Sequence, residues 1–154
     1  MHGKRVNSRS DVQQEIEKHV LKRVEEELGN VAIESNPKLI IDSEKGTYIC
    51  PDFYSEGENL IGEIYSHVGK LKGSQPDKIA TDILKMMLYE KVCGTKLRKI
   101  IAVCEEDALK QLSGKSFLAE AIRKFDVEIL YIKLSSDDRD RLKNIMYMQN
   151  LLNN

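Results

Sequence analysis

TYICPDFYSEGENLIGEIY, residues 47–65, reads as two β-strands joined by a tight polar turn, Glu56-Gly57-Glu58-Asn59. If Gly57 and Glu58 form a two-residue turn, residues whose numbers sum to 115 face each other across the ladder. A four-residue loop over 56–59 gives the same pairing, whereas a three- or five-residue loop shifts it by one. On this register Asp52 lies directly opposite Glu63, and both share a sheet face with Tyr65. Directly opposed residues have Cβ atoms roughly 4.5–5.5 Å apart, where like charges repel. A fold has little reason to hold two carboxylates this way unless a cation sits between them.

The surrounding chain is that of one ordinary domain. Its 154 residues are 41% hydrophobic and 32% charged, so a packed core is expected rather than disorder. No apolar run approaches the ~18 residues needed to span a bilayer, and the polar tail expected over 1–9 lacks the apolar segment of a signal peptide. Cys50, Cys93 and Cys104 are an odd count at wide spacing, which favours reduced thiols and a cytoplasmic location over a disulfide framework or structural zinc. A net charge of −1 argues against gripping nucleic acid by overall charge. The charge is segregated, however. From Val68 to Lys99 eight cations stand against three anions, a local balance of +5. A solvated face and a nucleic-acid contact are both open for this segment.

Ser10 is the expected cap of a first helix, whose stripe Val12, Ile16, Val20, Val24 and Leu28 recurs every four residues until Gly29 or Asn30 ends it. Residues 38–42 form a strand, and the hairpin supplies two more. A Gly-, Lys- and Pro-rich connector over 69–76 leads to a second helix, with Ser74 as its cap, Ile79, Ile83, Met86 or Met87 and Leu84 or Leu88 as its apolar face, and Gly94 as its stop. Arg98–Cys104 is a strand apolar enough to be buried on both faces. Helical pieces over 106–112 and 116–125 flank Ser113-Gly114. A last strand over 127–134 and a helix from Ser135 to about Leu152 complete the chain. The fold class is α/β, a single domain over 10–154 with a mixed sheet: an antiparallel meander, then β-α-β units. The apolar end of the last helix, Ile145 to Leu152, is its core face or a homodimer interface.

Two opposed carboxylates with open positions suit a hard cation such as Mg²⁺ or Mn²⁺, which takes oxygen ligands and keeps several waters. Phosphate-loop, dinucleotide-loop and nucleophile-elbow patterns are missing from the sequence. Ser113-Gly-Lys-Ser116 follows a helix and is discounted as a phosphate loop.

Pro51-Asp52 followed eleven residues later by Glu63-Ile64-Tyr65 resembles the motif of the PD-(D/E)XK, or restriction-endonuclease-like, nucleases. The predicted order helix, three-strand meander, helix, strand is similar to that superfamily's α-β-β-β-α-β core, here extended by a further β-α unit. The resemblance covers roughly residues 10–134. It implies a metal-dependent hydrolase of phosphodiester bonds, with Asp52 and Glu63 holding Mg²⁺ or Mn²⁺ and nucleic acid, DNA ahead of RNA, as partner. The motif's lysine position is occupied by Tyr65. In such nucleases this lysine sometimes moves to the following helix, where Lys78, and after it Lys85, could replace it. Lys70, Lys72 and Lys78 would then meet the nucleic acid. Glu15 would be the first-helix glutamate that many members add to the metal, although an exposed helix carboxylate is the simpler reading. His67 falls on the Glu63–Tyr65 face if the strand extends that far, and Tyr65 is expected to pack against the helix. A catalytically inactive nuclease-fold module that binds nucleic acid or a protein is the alternative, favoured by Tyr65.

Overall fold

A computed structural model describes residues 9–152. The hairpin pairs Phe53 with Gly62, Tyr54 with Ile61 and Ser55 with Leu60. This is the register in which partner numbers sum to 115. The connection is a four-residue loop over 56–59, with Asn59 in the left-handed region at φ 50° and its N–H donating to the Glu56 carbonyl at 3.2 Å. Asn tolerates that conformation better than most residues, which is why the turn closes there.

The helices are α1 (Arg9–Glu27), α2 (Gln75–Cys93), α3 (Glu106–Leu112), α4 (Phe117–Lys124) and α5 (Ser136–Leu152). The strands are β1 (Glu34–Ser35), β2 (Leu39–Asp42), β3 (Thr47–Ile49), β4 (Phe53–Ser55), β5 (Leu60–Tyr65), β6 (Arg98–Val103) and β7 (Val127–Tyr131). A five-stranded mixed sheet runs β1-β4-β5-β6-β7, with β2 and β3 forming a separate two-stranded sheet. β4 and β5 are antiparallel, and β5, β6 and β7 are mutually parallel. The chain is thus a single α/β domain with a mixed sheet.

Period-two alternation in the strands feeds two cores. Ile61, Tyr65, Ile101 and Val103 pack with Ile79, Ile83 and Met86 of α2 and with α3 and α4. Phe53, Leu60, Ile100 and Ala102 pack on the other face with Ile16, Val20 and Val24 of α1 and Leu142 of α5. The central strand β6 is buried on both faces, as its unbroken apolar run requires. Among the described residues, no helix is long and apolar enough to cross a membrane.

Several expectations need correction. The stretch before the turn is two strands, not one, interrupted at Cys50-Pro51-Asp52. Proline has no N–H for a ladder and restricts the residue before it, so pairing breaks there. The meander is consequently split: β2 and β3 pair with each other, and the two-residue β1 takes the place beside β4. Of the polar tail over 1–9, residues 1–8 lie outside the described residues and Arg9 is already helical, so Ser10 sits within α1 rather than before it. Ser74 occupies the cap position of α2 without a side-chain bond; instead Gln75 Oε1 accepts from the Lys72 N–H at 2.9 Å. Leu84 and Leu88 are exposed, because Ile79, Ile83 and Met86 define a buried arc on the opposite side of α2. The last strand stops at Tyr131, since its parallel neighbour β6 ends at Val103. On α5 Ile145 reaches the core, but Tyr147, Met148, Leu151 and Leu152 are exposed, so the terminal turns are not a core face.

Candidate metal and phosphate site

The parallel strands β5 and β6 and the start of the antiparallel β4 meet at one end of the sheet. In α/β sheets this carboxyl end of the parallel strands is where loops leave room for ligands. Asp52 immediately precedes β4, and Glu63 lies within β5. The Ile64 N–H donates to Asp52 Oδ2 at 2.7 Å, and the Asp52 N–H points at Glu63 Oε2 at 3.4 Å. Backbone donors therefore tie each carboxyl group to the other's segment, just beyond the last ladder pair Phe53–Gly62. The charge-assisted bond from Ile64 is the stronger one by its length.

The electrostatic result falls on Glu63. Its pKa is pushed up to about 9, first by burial, then by the charge of Asp52 and a hydrogen bond with it, and then by Asp82. Desolvation and a like charge act in the same direction here. A cation between the two carboxylates would reverse the sign of this effect. Glu17 of α1 borders the same region. Its pKa is raised by burial and by the charge of Asp52, and lowered by Lys78. Glu17 and Asp52, with Gln14, Lys18, Ser35 and Asn36, line a cleft of about 240 Å³.

Tyr65 is buried, and its hydroxyl donates to Asp82 Oδ2 on α2. Asp82 Oδ1 lies 3.7 Å from Lys85 Nζ. The Lys78 ammonium lies 5.8 Å from the centroid of the Tyr65 ring. His67, beyond the end of β5, has its pKa lowered by desolvation and then by Lys78. Lys70 and Lys72 are exposed on the connector between β5 and α2.

Asp52, Glu63, Tyr65 and Lys78 are thus brought to one end of the sheet, and Lys85 stands beside Asp82. Glu15 is not part of this group. Its carboxylate binds Arg141 of α5 at 2.7 Å, which lowers its pKa. Residues two apart on a helix point about 200° apart, and it is Glu17 that turns toward Asp52. Asp82, a carboxylate between Lys78 and Lys85 along α2, is buried. The signal lay in its neighbours: Ile79, Ile83 and Met86 surround its helical position. Among the described residues, no three His, Cys, Asp or Glu side chains converge to hold a metal ion. Asp52 and Glu63 supply carboxylate oxygens, the ligand type that a hard ion such as Mg²⁺ or Mn²⁺ takes.

No family model matches this chain, and neither does any curated protein or solved structure searched.

Proposed function

We propose that this protein is a metal-dependent phosphodiesterase acting on nucleic acid, DNA ahead of RNA, with a restriction-endonuclease-like core. The observation that carries the reading is the backbone-anchored approach of Asp52 and Glu63, in which burial and the charge of Asp52 raise the Glu63 pKa. Supporting it is the order of α1, the strands leading to β5, α2 and β6, which resembles that core, although β2 and β3 lie outside the main sheet. Asp52 and Glu63 would hold Mg²⁺ or Mn²⁺. Such an ion polarises a phosphoryl oxygen and lowers the pKa of bound water. Lys78 supplies positive charge for the phosphate in place of the motif lysine, and Lys70 and Lys72 meet neighbouring phosphates.

Calorimetric titration with Mn²⁺, followed by incubation with single- and double-stranded DNA and RNA, tests this. The expected result is binding and divalent-dependent cleavage, both abolished by Asp52→Asn and by Glu63→Gln in folded protein. Cleavage that survives in both variants would sink the site.

A specific observation favours a second reading, a catalytically inactive binding module. The strand position for the motif lysine holds Tyr65, and its hydroxyl is committed to Asp82. No Mn²⁺ binding at millimolar concentration, together with salt-sensitive binding to nucleic acid, is the result that this reading expects.

A further inference from the structure

Lys78 is carried by a long, exposed side chain on the first turns of α2, and an unrestrained ammonium of that kind samples many positions. What it meets is the face of Tyr65, at 5.8 Å from ammonium to ring centroid. This is within the roughly 6 Å over which a ring quadrupole attracts a cation. The ring cannot swing away. It is buried against the core shared with α2, and its hydroxyl donates to the buried Asp82 one turn further along the same helix. Asp82 is itself held near Lys85. Tyr65 also lies two residues after Glu63 on the same sheet face. A ring fixed at both ends therefore stands between the carboxylate pair and the helix that bears the lysine.

We infer that Tyr65 is a positioning residue whose ring, fixed by its burial in the core shared with α2, holds the Lys78 ammonium at the site end of the sheet. The consequence for cleavage rests on the function proposed above; the placement of Lys78 does not. Lys78 then lies within electrostatic reach of Glu17, where it opposes the rise in pKa, and of His67, and approaches a phosphate with less lost side-chain entropy than a free lysine. In this arrangement the tyrosine does not replace the motif lysine chemically. It seats a lysine that arrives from the helix.

The test follows the ε-methylene resonances of Lys78, assigned with Lys78→Arg, in wild type, Tyr65→Leu, Tyr65→Phe and Asp82→Asn. The expected result is a ring-shifted Lys78 signal in wild type that persists in Tyr65→Phe. In Tyr65→Leu it should move to the position of exposed lysines such as Lys70. Asp82→Asn keeps an acceptor for the hydroxyl and should retain the shift. In parallel, Tyr65→Leu should lower the cleavage rate about tenfold with Mn²⁺ affinity unchanged, and add little to Lys78→Ala, because coupled residues are not additive. A wild-type Lys78 signal that coincides with exposed lysines overturns the inference. So does one that is the same in wild type and Tyr65→Leu. Should Tyr65→Leu not fold, loss of the shift in folded Tyr65→Phe overturns it equally. A shifted, Tyr65-dependent signal in a protein that neither binds Mn²⁺ nor cleaves would uphold the placement of Lys78 and defeat the nuclease reading instead.

Discussion

The ring of Phe53 covers Gly62, its partner across the β4–β5 ladder, and its far end occupies the space where a Cβ on residue 62 would stand. Asp52 precedes Phe53 just outside the ladder, and Glu63 follows Gly62 in β5 on the opposite side of the sheet. The Phe53–Gly62 pair ties the register of the site to the packing of the α1 side. A slip by one residue would bring the wrong side chain under the ring and turn Glu63 away from Asp82 of α2.

Gly62→Ala is therefore expected to destabilise the fold by about 1–3 kcal/mol, the usual cost of overpacking a filled core. The added methyl meets a ring on Phe53, itself wholly buried, so relief requires the strands to part. Urea denaturation followed by circular dichroism measures the loss. A midpoint equal to wild type would mean that Phe53 can move aside.

The Glu63 carboxyl gives a pH dependence whose sign can be worked out. Its folded pKa, about 9, lies above its unfolded value near 4.5. Between these values the folded state binds more protons than the unfolded one. Metal-free stability should thus fall as pH rises across this window, with a slope of at most about 1.4 kcal/mol per pH unit from this group. Glu63→Gln should flatten that slope. Divalent metal should act oppositely, since binding must displace the proton: affinity is expected to rise about tenfold per pH unit below the Glu63 pKa. Calorimetry in buffers of different ionisation enthalpy counts the released proton. A pH-independent affinity would remove Glu63 from the metal's ligands.

Lys99 in β6 is buried and reaches Glu90 of α2 at 2.8 Å, while Glu90 Oε2 also accepts the Leu97 N–H at 2.7 Å. Glu90→Ala should cost about 3–5 kcal/mol, because it strands a buried ammonium. Lys99→Met removes the charge with its chain volume kept, and should cost well under half as much. Thermal denaturation of the two variants decides the order. The reverse order would mean that Glu90 acts mainly through Leu97 and that Lys99 finds water.

Much of this was legible in the chain because the carriers were local. A turn of two or four residues sets Asp52 opposite Glu63 by number, and the structure has the four-residue loop. Gly94, at φ 68°, closes α2 where a left-handed residue was needed. Failures came where two elements had to be oriented against each other. The apolar stripe of α1 says which side is buried, but not whether Glu15 or Glu17 stands at the open end beside Asp52. In α2 the leucines at 84 and 88 looked like core but are exposed, whereas the acidic Asp82 is buried. The sheet receives the other arc of the helix, where Asp82 finds the Tyr65 hydroxyl.

The sequence by itself determined that an even-numbered turn brings Asp52 and Glu63 together, the alternation that puts Tyr65 on the face of Glu63, and the helices on either side. These follow from periods of 2 and 3.6 and from turn chemistry, which act over a few residues. Only the tertiary structure decided that Pro51 divides the meander between two sheets, that Arg141 draws Glu15 away, and that Tyr65 spans from the strand to Asp82 with Lys78 over its ring. Those outcomes depend on which faces of distant elements meet, and packing free energy over the whole core sets that choice.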